Sequence, residues 1–421
     1  MIFAPRRNNM LLKIVLSLLV VALAAFGAVR AWTWFAQNGA ASAFSASPTD
    51  ELQTARTLYD QGSLQEARQA LQPLVDRGRD DPATAEAIML LARIEVQDGN
   101  KDTAKSLLER GYQGLTSSPE HPKIAIAYAR ILEDTGQLDE AFRVYQDVHE
   151  KAAHDVRAPA TVGLGRHAER NKDLLKAREL YREAVKDAAP DSREWNDALD
   201  ALGKVNVALV FSHQETPESK WYTVARGDSI TSIGNALNTT QGMLMRANGI
   251  DENTVLSTGQ RLIYTPKDFR IVIERSRRRL FLLDKDGVFK RYSVGLGKPG
   301  HETTLGSYKI GNKEKNPVWH KPGVGPIPSG DPANELGTRW MPFVPDQEGL
   351  PKDLGIHGTI RLETVGHYSS NGCARLYPED VEELYDLVVR STPVDIVETF
   401  SLDKGVTVAS PDSGTTGEAK S

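Results

Sequence analysis

The chain has 421 residues, a length for about two to four domains, and its 51 Lys and Arg against 56 Asp and Glu leave a net charge of −5, no field to hold a nucleic acid. With 40% hydrophobic and 25% charged residues the usage is that of a folded chain, which excludes wholesale disorder. One cysteine excludes an internal disulfide framework and a Cys-rich zinc module, and no cofactor or metal is expected.

Residues 14–29 form an apolar run broken only by Ser17 and Gly27. Arg6, Arg7 and Lys13 precede it, and Trp32, Trp34 and Phe35 follow. Positive charge before and aromatics after predict a cytoplasmic N-terminus at 1–10 and a signal-anchor membrane helix at 11–31. Everything beyond would then lie outside the cytoplasmic membrane, in the cell envelope. A cleaved signal peptide is the alternative, with Ala41-Ser42-Ala43 as its small-residue site. No other stretch is apolar enough to span, so the chain reads as single-pass or secreted. Export gives a lone thiol a meaning, because an oxidising compartment penalises one without a task. Residues 32–49 read as a linker.

From 50 to 212 the chain is helix-forming and repetitive. Gly62-Ser63-Leu64-Gln65-Glu66-Ala67 is echoed by Gly136-Gln137-Leu138-Asp139-Glu140-Ala141. Weaker copies run from Gly99 to Ala104 and from Asn171 through Leu174 to Ala177. The alanines 67, 104, 141 and 177 are spaced 37, 37 and 36 residues apart. Each Gly or Asn ends a helix, and each Ala lets the next one pack closely. The pattern resembles tetratricopeptide repeats, an all-α solenoid whose units run slightly longer here. Trp195, Leu199, Leu202 and Val205 continue a helical stripe that would cap the stack. Such a stack serves either as a groove for a protein partner or as a spacer. His121, His149, His154 and His167 show no metal spacing.

After a linker at 213–219, residues 220–266 predict strand, helix, helix, strand. Trp221-Tyr222-Thr223-Val224 is the first strand, and Asp228 is the expected cap of a helix with Ile230, Ile233 and Leu237 inward. Met243, Leu244 and Ala247 mark a second helix stopping at Asn248-Gly249, and Arg261-Leu262-Ile263-Tyr264 closes the unit. Through Tyr222-Thr223-Val224, Gly227-Asp228-Ser229, Asn248 and Gly259-Gln260-Arg261-Leu262 this small α+β module resembles the LysM domain. The resemblance implies binding of N-acetylglucosamine polymers, peptidoglycan above all.

Residues 267–400 are mainly strand-forming. Two strands at 270–274 and 278–283 lead to a hairpin turn at Asp284-Lys285-Asp286-Gly287 and a strand at 288–294. Residues 316–332 hold five prolines and three glycines, too irregular for strand or helix, and read as a lid or substrate wall. Pro378-Glu379-Asp380 opens a helix with Val381, Leu384, Tyr385 and Val388 on one face, and a strand follows at 394–397. Residues 401–421 are small and polar, a disordered tail.

The only cysteine lies in Ser369-Ser370-Asn371-Gly372-Cys373-Ala374-Arg375, sixteen residues after His357. A free thiol has a pKa of about 8.5, so it needs a base, and His357, at the end of a strand, is the candidate partner for a thiolate–imidazolium pair. Gly372 would leave room for a substrate carbonyl, and backbone N–H groups around Gly372 and Cys373 would bind the oxyanion.

His357-Gly358-Thr359 and Ser370-Asn371-Gly372-Cys373-Ala374-Arg375 resemble the active-site motif of the L,D-transpeptidase catalytic domain. Leu305-Gly306-Ser307-Tyr308, Asn316-Pro317-Val318-Trp319-His320 and Leu336-Gly337-Thr338-Arg339-Trp340 fit the same family. The resemblance implies Cys373 as nucleophile and His357 as general acid and base. It also implies the Gly358 carbonyl as the group orienting the ring, Arg375 on the substrate side, and Gly372, Ser370 and Asn371 as support. Most members carry His where Asn371 stands, and an amide cannot titrate. The implied reaction is acyl transfer from the third residue of a peptidoglycan stem to an amine. With water as acceptor it becomes an L,D-carboxypeptidase, and with a lipoprotein lysine an anchoring enzyme. A zinc site of His357, His367 and Cys373 is set aside because the motif assigns His357 otherwise. The competing class is a cell-wall tether without catalysis.

Overall fold

Four times among the described residues a helix stops at a left-handed residue and the next begins two residues later. The computed structural model describes residues 47–401 apart from Pro322. The expected membrane segment at 11–31 and the tail lie outside the described residues. Among the described residues no helix is long and apolar enough to cross a membrane. The chain divides into two compact units, one ending at Val148 and one beginning at His149.

The first unit is built of helix pairs: α1 (Pro48–Asp60) with α2 (Leu64–Arg77), α3 (Pro82–Gln97) with α4 (Lys101–Gly114), and α5 (His121–Asp134) with α6 (Leu138–Lys151). Ser47 closes a capping box with Asp50, and Asp81 accepts from the Thr84 N–H at 2.8 Å, so both helices start with a satisfied donor. Gly62, Gly99 and Gly136 turn each pair at φ of +79°, +83° and +82°, a conformation that costs glycine nothing. The repeat alanines Ala67, Ala104 and Ala141 are fully buried, as their spacing predicts.

The second unit opens with α7 (His154–Arg170) and α8 (Leu174–Asp187), whose turn places Lys172 at φ +61°. A Cβ on Gly165 would overlap the ring of buried Tyr181, so this glycine lets the ring of α8 lie directly on the backbone of α7. Next comes α9 (Arg193–Val210), begun by Ser192 accepting from the Trp195 N–H at 3.1 Å. Its expected role as a cap is only half of what it does. Trp195 and Leu199 pack with Val272, Phe281 and Val397, while Val207 and Val210 enter the core that also holds Ile271, Leu280 and Phe289. The Asn206 amide donates to the Phe289 carbonyl at 2.8 Å. The helix is apolar on two faces, and a single stripe read from sequence shows one.

β1 (Lys220–Thr223), α10 (Ile230–Ala236), α11 (Gln241–Asn248) and β2 (Arg261–Tyr264) follow, with β1 and β2 antiparallel around Val224, Ile233, Leu244 and Leu262. The N-cap of α10 is Ser229 rather than Asp228. Asp228 instead accepts from the Ala225 N–H and the Tyr222 hydroxyl, at 2.7 and 2.8 Å. Asn248 joins α11 to β2 by donating to the Leu244 and Ile263 carbonyls and accepting from the Ile263 N–H, each at 2.8 Å.

The remaining elements are β3 (Arg270–Glu274), β4 (Arg279–Asp284), β5 (Gly287–Ser293), β6 (Leu296–Gly297), β7 (Gly306–Ile310), β8 (Glu314–Lys315), β9 (Trp319–Lys321), β10 (Gly325–Ile327), β11 (Arg339–Pro345), β12 (Gly355–His357), β13 (Tyr368–Ser370), β14 (Ala374–Arg375), α12 (Pro378–Leu387) and β15 (Pro393–Val397). One mixed sheet has the order β14-β12-β11-β7-β15-β3-β4-β5, with β8 also on β11. β6 and β13 pair in parallel beside it. The stretch expected to be irregular contains a hairpin, with Gly325 opposite Lys321 and Ile327 opposite Trp319. Proline is tolerated there because the strands are short and solvent-edged. Val381, Leu384, Leu387 and Val388 seal α12 onto the sheet.

Candidate active site

β12 and β14 run parallel, with Ile356 opposite Ala374 and His357 opposite Arg375. Ile356 and Ala374 are fully buried in the core, so the alternate residues Gly355, His357, Cys373 and Arg375 face the other side. Strand spacing and rise put the Cα atoms of Cys373 and His357 about 8 Å apart, within reach of a thiol and an imidazole.

The turn into Cys373 is tied by Ser370, which is 1% exposed. Its hydroxyl donates to the Cys373 carbonyl at 2.7 Å and accepts from the Gly372 N–H at 3.1 Å. That second bond engages the Gly372 N–H, one of the two amides expected to meet the oxyanion, while the Cys373 N–H makes no hydrogen bond among the described residues. Gly372 does not make room for substrate either. It sits at φ +116°, and a Cβ would lie 2.9 Å from the Leu354 side chain, so the glycine serves the turn and the packing beneath it. Asn371 is exposed and has no hydrogen bond among the described residues.

His357 is 4% exposed, and its Nδ1–H donates to the Gly358 carbonyl at 2.6 Å. That bond holds the proton on Nδ1 and leaves Nε2 as the basic nitrogen. Burial, helped by the charge of Arg375, lowers the imidazole pKa to about 4. The half-buried Cys373 moves the other way: burial pushes its thiol up to about 11, against the pull of the Gly355 N–H and Arg375. Both shifts favour the uncharged forms at neutral pH, against the resting ion pair expected. The thiol rests on the Asp353 carbonyl at 3.7 Å rather than on the imidazole. Trp340, opposite His357 on β11, brings its ring centroid to 5.9 Å from the imidazole.

Arg375 is 7% exposed. Its Nη2 donates to Glu335 Oε2 at 2.9 Å, while Nε and Nη1 are buried with no hydrogen-bond partner among the described residues. Arg361 donates to the same carboxylate oxygen at 2.8 Å. Two orphaned guanidinium donors beside a nucleophile candidate are an anion-accepting arrangement.

The L,D-transpeptidase catalytic domain matches residues 268–396. YqjB of Bacillus subtilis (strain 168), named as an L,D-transpeptidase, is 34% identical over 134 residues, which are 32% of this chain and 73% of that protein. The chain belongs to the L,D-transpeptidase family. YkuD of Bacillus licheniformis, named likewise, is 29% identical over 42% of this chain and 97% of its own. The catalytic domain of an L,D-transpeptidase from E. faecium aligns with 31% of this chain and 97% of that one, at 21% identity and a TM-score of 0.25. The LysM domain matches residues 222–264, and the tetratricopeptide repeat matches 52–118 and 150–193, in the order expected.

In this L,D-transpeptidase the other histidines of the domain, His301, His320 and His367, are exposed, whereas His357 is buried. Among the described residues no group of three could hold a metal ion. Two residues escaped the sequence reading. Glu335 anchors Arg375, and buried Asn334 donates to the carbonyls of Pro317, Ile327 and Pro328 at 3.0, 3.2 and 3.1 Å, which holds the β9–β10 loop beside the site. Two signals pointed near them, the loop at 316–332 before and the segment Leu336-Gly337-Thr338-Arg339-Trp340 after.

Proposed function

We propose that this L,D-transpeptidase acts on peptidoglycan through a Cys373 acyl-enzyme. The thiol leaves the Asp353 carbonyl, passes its proton to His357 Nε2 and attacks the carbonyl of the third stem residue. Burial disfavours the separated charges at rest, so proton transfer accompanies attack rather than preceding it. The oxyanion is met by the Cys373 N–H. The C–N bond then breaks, and the terminal D-alanine leaves with the proton held on Nε2. An amine from a second stem attacks the thioester, gives its proton to Nε2, and the sulfur leaves as thiol once that proton returns. The product is a 3→3 cross-link, whereas water as acceptor would give the trimmed stem.

The observation that carries this reading is the shared face of His357 and Cys373, with the ring's Nδ1 pinned on Gly358. Arg375 Nε and Nη1 can each donate one N–H to an oxygen of a stem carboxylate, while Nη2, which belongs to both parallel N–H edges of the guanidinium, is held by Glu335. LysM is assigned to glycan strands and the helical repeats to a protein partner. The whole is assigned to the cell envelope, held by the N-terminal membrane segment.

Intact-mass analysis after incubation with a carbapenem tests the nucleophile. One adduct on the wild type and none on Cys373→Ala is expected. A wild-type chain that binds cell walls but takes no adduct would favour the tether instead.

A further inference from the structure

A cleft of about 830 Å³ lies between the LysM module and the catalytic domain, both within the second unit, and acyl transfer does not use it. Its volume is that of a small-ligand site. One wall is the start of α10 and the α11–β2 loop, with Ser229, Thr231 and Val255. The facing wall is catalytic, with Tyr385, Val389 and Arg390 at and beyond the end of α12.

The walls are fastened to one another. The Thr240 hydroxyl donates to the Asp386 carbonyl, Arg246 pairs with the Asp386 carboxylate at 3.5 Å, and Lys315 pairs with Glu252 at 2.8 Å. A Cβ on Gly242 would overlap the Asp386 carboxylate, and Met243 is buried in the catalytic core. The cleft is therefore a fixed feature of the pair of domains.

Most of its charged side chains are already engaged. Lys315 and Arg246 face Glu252 and Asp386, and Lys313 donates to the Tyr385 and Val388 carbonyls at 2.6 and 2.5 Å. A polyanion finds little to hold there. What remains open is amphipathic: Val255 is 88% exposed, Tyr385 and Val389 are half-buried, and hydroxyls and amides stand between them. Arg390 is exposed and unpaired among the described residues. Apolar surface interleaved with uncharged donors and acceptors matches a pyranose, which has a C–H face and a hydroxyl and acetamido edge.

We infer that this cleft is a composite carbohydrate site, in which an N-acetylhexosamine oligosaccharide is held by the LysM loops on one side and by Tyr385, Val389 and Arg390 on the other. The inference rests on the glycan-binding reading of LysM and adds the catalytic wall to it. A strand gripped by both domains is fixed relative to Cys373, so the substrate it favours is a stem still attached to its glycan.

The test is a titration of methyl-labelled full chain with chitopentaose. Shifts at both Val255 and Val389 are expected, with affinity about tenfold weaker for Arg390→Ala. Shifts at Val255 alone, with Arg390→Ala binding like wild type, would overturn the composite site and leave LysM binding standing. No shift anywhere would remove the glycan reading of LysM, and this inference with it.

Discussion

His357 and Cys373 lie on the same face of two neighbouring parallel strands, two residues out of step, with Arg375 directly opposite the histidine. Neither side chain is charged at neutral pH, since burial raises the thiol to about 11 and lowers the imidazole to about 4.

Thiolate absorbance at 240 nm should accordingly stay low through neutral pH and rise only toward about 11. A plateau at neutral pH that His357→Asn abolishes would indicate a resting ion pair. The imidazole also affects stability. The unfolded chain binds its proton below about 6.5 and the folded chain only below about 4, so stability falls as pH drops through that window. The loss is of order 3 kcal/mol. Denaturant midpoints of His357→Asn should be flatter across the same range.

Arg375→Lys keeps the charge and discards the planar fork. We expect kcat/KM to fall by about 10-fold or more for stems with a free carboxylate, the worth of a charged hydrogen bond, and by little for stems amidated at that position. Equal losses on both substrates would confine Arg375 to bonding Glu335.

Asn371 is exposed, so Asn371→His should change kcat by no more than a few-fold and leave the alkaline position of the thiol titration in place. A large downward move of that titration would mean that the residue at this position tunes the sulfur.

Lys172 holds a left-handed turn that glycine holds in three other helix pairs. Lys172→Gly removes a strain of about 1–2 kcal/mol and adds about 0.5–1 kcal/mol of chain entropy, leaving a net gain of about 0.5 kcal/mol. Thermal unfolding of the two chains decides the sign.

Much of this molecule is legible from residue types. The repeat alanines are buried where the spacing puts them, Asn248-Gly249 ends a helix, and Asp284 and Gly287 flank a two-residue turn. These signals are local, set by one or two side chains and a backbone preference. The misses are tertiary. Ser229 displaces Asp228 as a cap because Tyr222 and the Ala225 N–H claim that carboxylate. The β9–β10 hairpin forms beside buried Asn334, which satisfies three carbonyls of the loop. Gly372 looked like space for substrate and is packed under Leu354. The paired site residues were readable as a motif, but the sign of their pKa shifts depends on burial that no spacing reveals.

The central claim is tested most directly by mass analysis of enzyme and products after incubation with a disaccharide tetrapeptide. The account predicts a tripeptide acyl group on Cys373, released D-alanine and 3→3 dimers, all absent from Cys373→Ser. Dimers formed at an undiminished rate by Cys373→Ser, or an acyl group on another residue, would contradict it.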